Sequence, residues 1–326
     1  MKKYTIIAYA MVIALSIVCM PTTYGQEFLP ELDFEIDAGL SRVLDVDIDT
    51  VQAELIKTYE MRFCYISFIR INGKEYIVKQ KKSDCFRKIV SVVRDAITAH
   101  IAEDFGIAHR VAIIPAGKKF PGKPRTDWPA TLHTVAPGKM IKAQSSKYNG
   151  MNIKQADIGF RRDMLVWMMQ HPTLIMMVAL DTFLCNHDRH RGNLFYHAKT
   201  DSFCAIDMDS AFKYNLCALA CKNFTKMIYN KNVRLTTREI NTLISYKEYL
   251  EFLIERHHPE NTLELYNAFI ERAGFIEGSP LYTQKIALEI DRNRRMIRES
   301  YRDVQRLIPI LQQLIKVSKK RQKQLI

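Results

Sequence analysis

The chain has 326 residues, 48% of them apolar, and carries a formal net charge of +13 with a pI near 9.3. That apolar share is a globular composition and excludes a highly charged, unfolded polymer; the length suits two small domains or one two-lobed domain. The basic balance favours acidic partners such as nucleotides, phospholipid headgroups or nucleic acid, though an ordinary basic protein carries the same charge.

Residues 1–25 read as a signal peptide. Met1-Lys2-Lys3 is a basic start, Thr5 to Met20 is uncharged and apolar, Pro21 breaks the run, and Thr23-Tyr24-Gly25 offers small residues for cleavage. The chain is therefore expected to be secreted or exported. Left uncleaved, the leader would anchor it to a membrane, although a run of about 16 residues is short for a span. Cys64, Cys85, Cys185, Cys204, Cys217 and Cys221 remain after the leader, an even number that permits disulfides in an exported chain, with free buried thiols as the alternative.

Residues 26–60 read as an acidic N-terminal extension in which Asp49 to Tyr59 forms a short helix. Arg62 to Ile71 is rich in β-branched and aromatic residues and predicts a strand. Asn72-Gly73 then marks a type I′ hairpin turn, because both central residues need positive φ. Lys74 to Gln80 is the return strand, with Lys79 near its end and Lys74, Lys81 and Lys82 as rivals for any role it has. Ser83 to Gly106 predicts one helix, its stripe built from Ile89, Val92, Val93, Ala96, Ile97 and Ile101. Asp95 is the best-placed acid on it and Glu103 the second. Strands follow at Arg110 to Ile114 and Ala130 to Ala136, separated by a Pro-, Gly- and Lys-rich loop. Pro137-Gly138 is a natural hinge.

Beyond the hinge the pattern is helical. Asp157 to Gln170 predicts a helix that His171-Pro172 breaks, and Thr173 to Cys185 is apolar nearly all round, as a buried core helix is. It leads into Asn186-His187-Asp188-Arg189-His190-Arg191-Gly192-Asn193. A hairpin follows, Leu194 to Tyr196 and Phe203 to Ile206, closing on Asp207-Met208-Asp209. An acid, an amide five residues on, and a second acid closing an apolar strand are what phosphoryl transfer needs. Asp188 would orient the attacking hydroxyl, while Asn193 and Asp207, hard oxygen donors, would hold magnesium against nucleotide phosphates. Asp209 is either a further metal ligand or a cap for the next turn. Asp207 and Asp209 also form a D-x-D of the kind that holds metal in glycosyltransferases. The histidines at 187, 190 and 197 have no standard zinc spacing and read as loop hydrogen-bond partners; Arg189 reads as the partner of a carboxylate. Lys222, Lys226, Lys231 and Arg234 form a basic segment suited to an acidic substrate, or a solvated face. Ile297, Tyr301, Val304, Ile308, Leu311 and Ile315 make a heptad seam that Pro309 is expected to interrupt, giving a packed helical pair. Lys316, Lys319, Lys320, Arg321 and Lys323 form a basic tail that would touch an anionic membrane or stay solvated.

The pattern N-x-D-R-H-x-x-N followed by Ile206-Asp207 resembles the atypical kinases of the phosphatidylinositol 3/4-kinase and HipA-like group, and is related to the arrangement in secretory-pathway kinases. The resemblance runs from about Tyr65 to Phe212. It implies an α+β, two-lobed protein-kinase-like fold, with a small β-rich N-lobe at 61–137 and a larger helical C-lobe at 138–326. It implies ATP and Mg2+ as cofactors, Asp188 as catalytic acid/base, Lys79 on phosphate with Asp95 as its helical partner, and Asn193 and Asp207 on metal. The Ala136-Pro137-Gly138 hinge would place Ala136 and Gly138 beside the nucleotide. Asp181 matches an acid that precedes the loop and has a structural role. The sequence departs from the group in lacking a Gly-rich phosphate loop, in the short Asp95 where Glu is usual, and in Asp209 where glycine is frequent. The expected activity is transfer of the γ-phosphate to a hydroxyl of a protein or phosphoinositide-like lipid; a turnover-free pseudokinase and a D-x-D glycosyltransferase are the alternatives. Nucleic acid is not an expected partner.

Overall fold

The computed structural model describes residues 42–43, 46–82, 89–107, 109–140, 165–166, 168–189, 191–212 and 215–324. The expected signal peptide, Cys85, His190, the start of the helix expected from Ser83 and most of the one expected from Asp157 lie outside these residues. Residues 36–326 form one compact unit. It is α+β, with a small β-rich lobe followed by a larger helical lobe.

The first lobe holds a two-stranded ribbon, β1 (Arg42–Val43) and β2 (Val46–Asp47), and a five-stranded antiparallel sheet. The sheet comprises β3 (Glu54–Glu60), β4 (Cys64–Ile71), β5 (Lys74–Lys81), β6 (Val111–Ile114) and β7 (Ala130–Thr134), in the order β3-β4-β5-β7-β6. The β4–β5 turn is as expected: Asn72 and Gly73 have φ of 49° and 78°, the two positive values a type I′ turn requires. The segment 49–59 is not a helix. Residues 48–50 form a turn and β3 pairs with β4 from Glu54↔Arg70 to Glu60↔Tyr65. All seven residues of β3 are exposed, so no apolar face anchored a helix there, and pairing with the free edge of β4 decided the conformation.

Between β5 and β6 lies α1 (Ser91–Glu103), buried along almost its whole length. It joins the sheet to the helical lobe, because its apolar side chains share one core with both. A second core fills the other face of the sheet around Ile69, Ile71, Val78, Ile114 and Leu132.

After the hinge, β8 (Lys139–Met140) pairs with β9 (Leu194–His197), which pairs with β10 (Ser202–Ala205). The helices are α2 (Pro172–Phe183), α3 (Leu216–Tyr229), α4 (Thr237–Arg256), α5 (Pro259–Ala273) and α6 (Gln284–Lys323). As expected, α2 is a core helix, with Leu174, Met177, Val178 and Leu180 fully buried; each such side chain contributes roughly 1.5–3 kcal/mol by leaving water. A capping box starts α4: Thr236 N–H donates to Glu239 (2.7 Å) and Glu239 N–H to Thr236 Oγ1 (3.2 Å). Pro309 does not interrupt α6, which runs 40 residues through it. Pro309 is exposed, so the carbonyl that loses its N–H partner faces water and the break costs little. The heptad seam packs on the core as Ile297, Val304, Ile308, Leu311 and Ile315. Cys64, Cys185, Cys204, Cys217 and Cys221 are free thiols. Among the described residues no helix is long and apolar enough to cross a membrane.

Candidate active site

The site is built where the end of β5 meets α1 and the turn after β10. Strand alternation turns Lys79 and Lys81 to the same face of the sheet. Lys79 Nζ lies 2.5 Å from Asp207 Oδ1, 3.2 Å from Asp209 Oδ2 and 3.4 Å from Asp95 Oδ2. The pairing of Lys79 with α1 is therefore made, even though the helical acid is the shorter Asp. Asp95 is buried and its other oxygen accepts the Met208 N–H at 3.2 Å, so one carboxylate holds both the lysine and the acidic turn. Lys81 donates to the same Asp209 oxygen. Two ammonium groups thus face three carboxylates.

Burial works against the Lys79 charge, but Asp207, Asp209 and Asp95 outweigh it and hold the ammonium well above the usual lysine range. Burial would likewise raise Asp209, but Lys79 and Lys81 overcome it and hold its carboxyl well below the usual range. Both groups stay charged at neutral pH.

Behind Asp95 sit two buried, stacked imidazoles, His109 and His133, with His109 Nε2 2.7 Å from His133 Nδ1. His109 Nδ1 lies 3.0 Å from the Ala205 carbonyl, which only accepts, so that nitrogen carries a proton. His109 Nε2 is then the acceptor, and His133 Nδ1 donates to it. His133 Nε2 lies 2.7 Å from Thr131 Oγ1, whose hydroxyl also reaches the Lys79 carbonyl (3.3 Å), and stands 3.7 Å from Asp95. Burial depresses both imidazoles, His133 further because His109, Lys79 and Lys81 add to the effect.

The loop carrying Asp188 is held from beneath. Arg189 is fully buried and donates to both oxygens of Asp181 (2.9 and 3.0 Å) and to the carbonyls of Asn193 and Ile206 (both 3.0 Å). Asn186 Nδ2 donates to Asp181 (2.8 Å) and its oxygen accepts the Asp188 N–H (3.3 Å). Asp181 and Arg189 thus have the structural parts expected of them. The Asn193 side-chain nitrogen donates to the Asp188 carbonyl (2.9 Å), and the Ile206 N–H to the Asn193 carbonyl (3.1 Å). These bonds tie the Asp188 loop to the turn that presents Asp207. The strand itself ends at Ala205, and Asp207 stands two residues beyond it at φ 54°.

Ala136 and Gly138 lie in the hinge, not among the charged groups. Gly138 has φ 90° and a Cβ there would drive into the Tyr196 carbonyl, so glycine lets the chain pass close against β9. His197 pairs with Thr200 (2.7 Å), a loop contact as expected.

Magnesium fits the donors present. Asn193 spends its nitrogen on Asp188, which leaves its oxygen as the atom offered to a cation, and Asp207 is the most exposed carboxylate of the cluster. Among the described residues no three His, Cys, Asp or Glu side chains are grouped for a metal ion; one carboxylate, one amide and phosphate oxygens are a set that suits Mg2+.

Sequence reasoning did not find Lys81 as a second member of the cluster, the paired imidazoles, or Arg94. Arg94, on α1, donates to the Asp209 carbonyl (2.9 Å) and to buried Glu289 on α6 (2.9 Å). The alternation of Lys79 and Lys81 was a usable signal for the first; the others depend on contacts distant in sequence.

No protein-family profile matches the chain, and no curated protein does. Solved structures similar to it include the Helicobacter pylori proinflammatory kinase CtkA, at 13% identity and TM-score 0.43 over 78% of this chain and 97% of that one. The Plasmodium vivax ethanolamine kinase is 9% identical, with TM-score 0.27 over 78% and 85% of the two chains. An aminoglycoside phosphotransferase from Alicyclobacillus acidocaldarius is 8% identical, with TM-score 0.29 over 91% and 99%.

Proposed function

We propose that the chain is an exported, ATP- and Mg2+-dependent kinase that transfers the γ-phosphate to a hydroxyl of a protein or lipid acceptor, within the phosphatidylinositol 3/4-kinase and HipA-like group. The observation that carries the reading is the convergence of Lys79 with Asp95, Asp207 and Asp209 beside the bonded Asp188–Asn193 loop.

In this reading Lys79 and Lys81 reach nucleotide phosphate oxygens. Asp95 keeps Lys79 on the correct side of the sheet. Asp188 orients the acceptor hydroxyl and takes its proton, while the Asn186 and Asn193 bonds fix its backbone. Asn193 and Asp207 would hold Mg2+, which supplies positive charge against the phosphates when bound. Two ammoniums against three carboxylates leave the cluster with one net negative charge, which repels a nucleotide. ATP binding should therefore require a divalent cation.

A non-catalytic binding module is the second reading. Its support is that both lysines are already engaged by carboxylates and that the sequence has no Gly-rich phosphate loop. The glycosyltransferase reading is disfavoured, since Asp209 Oδ2 is taken by two ammonium groups.

The test is transfer of label from γ-phosphate ATP with Mg2+ into a mixed extract, with protein, lipid and small-molecule products separated. Asp188→Ala should lose ~10²–10⁴-fold in rate. Equal transfer by the variant would remove Asp188 from the mechanism; ATP binding with no transfer by either would establish the binding module.

A further inference from the structure

We propose that α3 and the C-terminal half of α6 form a docking face for an anionic lipid bilayer. The proposal stands apart from the kinase reading and does not need turnover.

Three contacts set the geometry. Asn215, the cap of α3, donates to Asp303 (2.5 Å), while at the other end Arg321 donates to the carbonyls of Ile228 (2.8 Å) and Asn230 (3.1 Å). The helices therefore lie side by side and run in the same direction. Both bury one face in the same core, so the faces they turn away from it form one flank. On α3 that flank exposes Lys222, Lys226 and Tyr229; on α6 it exposes Lys316, Lys320 and Lys323.

Two features separate this flank from an ordinary solvated basic surface. A solvated helix face usually interleaves both signs of charge. Here α3 has no acidic residue, and α6 has none after Asp303, whose carboxylate is occupied by Asn215 and Arg306. The second feature is Tyr229, which is 75% exposed at the end of α3 where Arg321 bonds to its neighbours. An amphipathic ring beside a cluster of lysines suits the headgroup layer of a bilayer, where the ring sits among the headgroups and the ammoniums meet lipid phosphates. A single aromatic is a poor platform for single-stranded nucleic acid, which is held by successive stacked bases.

The experiment is co-sedimentation of the purified chain with vesicles of phosphatidylcholine containing roughly one-third phosphatidylserine, and with phosphatidylcholine alone. The chain should pellet with the anionic vesicles, less so as salt rises from about 0.1 M to 0.5 M as screening predicts. Replacing Lys316, Lys320 and Lys323 with Gln should weaken partitioning roughly a hundredfold, since each surface lysine contributes about a fivefold factor. Tyr229→Ala should weaken it and leave the salt dependence unchanged. These residues are exposed, so unchanged thermal unfolding of the variants keeps the comparison clean. Equal pelleting with neutral vesicles, or a triple variant that binds as wild type, overturns the proposal. Tighter retention on double-stranded DNA than on anionic vesicles also overturns it and assigns the face to nucleic acid.

Discussion

Arg189→Met should be among the most damaging single substitutions in the chain. The guanidinium is fully buried and makes four hydrogen bonds: two to Asp181 and one each to the carbonyls of Asn193 and Ile206. Without it, Asp181 keeps one side-chain donor, Asn186 Nδ2 at 2.8 Å, in a site closed to water. Stranding one member of a buried ion pair costs about 3–5 kcal/mol, a large share of the ~5–15 kcal/mol that holds a typical domain together. Burial already pushes the Asp181 carboxyl up against the pull of Arg189. In the variant its folded pKa therefore lies above the unfolded one, so the native state binds more protons. The deficit should be largest at neutral pH and shrink as pH falls toward the unfolded value of about 4. Urea unfolding at two pH values reads both effects through the midpoint, provided the slope is unchanged. Asp181→Asn combined with Arg189→Met removes both charges and should be more stable than Arg189→Met alone. A loss below about 1 kcal/mol for Arg189→Met, or a double variant worse than the single, would refute the argument.

Lys79→Met should weaken Mg2+-dependent ATP binding at least about tenfold, about 1.4 kcal/mol, in a nucleotide titration; unchanged affinity would remove Lys79 from the phosphate site. Burial would raise Asp104, but the His257 ring 2.8 Å away and the Arg256 guanidinium that donates to it (2.6 Å) outweigh burial and hold the carboxyl down at about 2. Its stabilising effect is complete above the unfolded value of about 4 and is lost as pH falls through about 2, so Asp104→Asn should flatten the acid limb of the stability profile. An unaltered limb would exclude the group. Gly138→Ala meets both a positive φ and the Tyr196 carbonyl, and should cost more than about 1 kcal/mol in denaturant unfolding; a neutral result would show that the hinge does not need its approach to β9.

Local signals carried the parts of the fold that are locally determined. Asn72-Gly73 names its own turn type, and the apolar run of α2 reads as core because nothing polar interrupts it. That Asp188, Asn193 and Asp207 come together was legible because one loop and one hairpin carry all three and are bonded to each other. The helix expected over Asp49 to Tyr59 shows the limit: an exposed stretch takes whatever conformation its neighbour offers, and the neighbour was the edge of β4. Pro309 misled for the opposite reason, since its cost depends on which way the lost acceptor faces. Sequence alone makes Lys81 a rival of Lys79 where the two bind one acid, because Asp209 is brought to Lys81 from 128 positions away and to Lys79 from 130.

The Arg94–Glu289 bond joins residues 195 positions apart. At a synthesis rate of about 5–20 residues per second, roughly 10–40 s separate the appearance of the two on the ribosome. Through that interval the helix that aligns Asp95 carries an arginine destined for burial and lacks the acid that neutralises it. The β-rich lobe is thus made first and completed late: α6 supplies the charge that lets α1 settle against the Lys79 cluster.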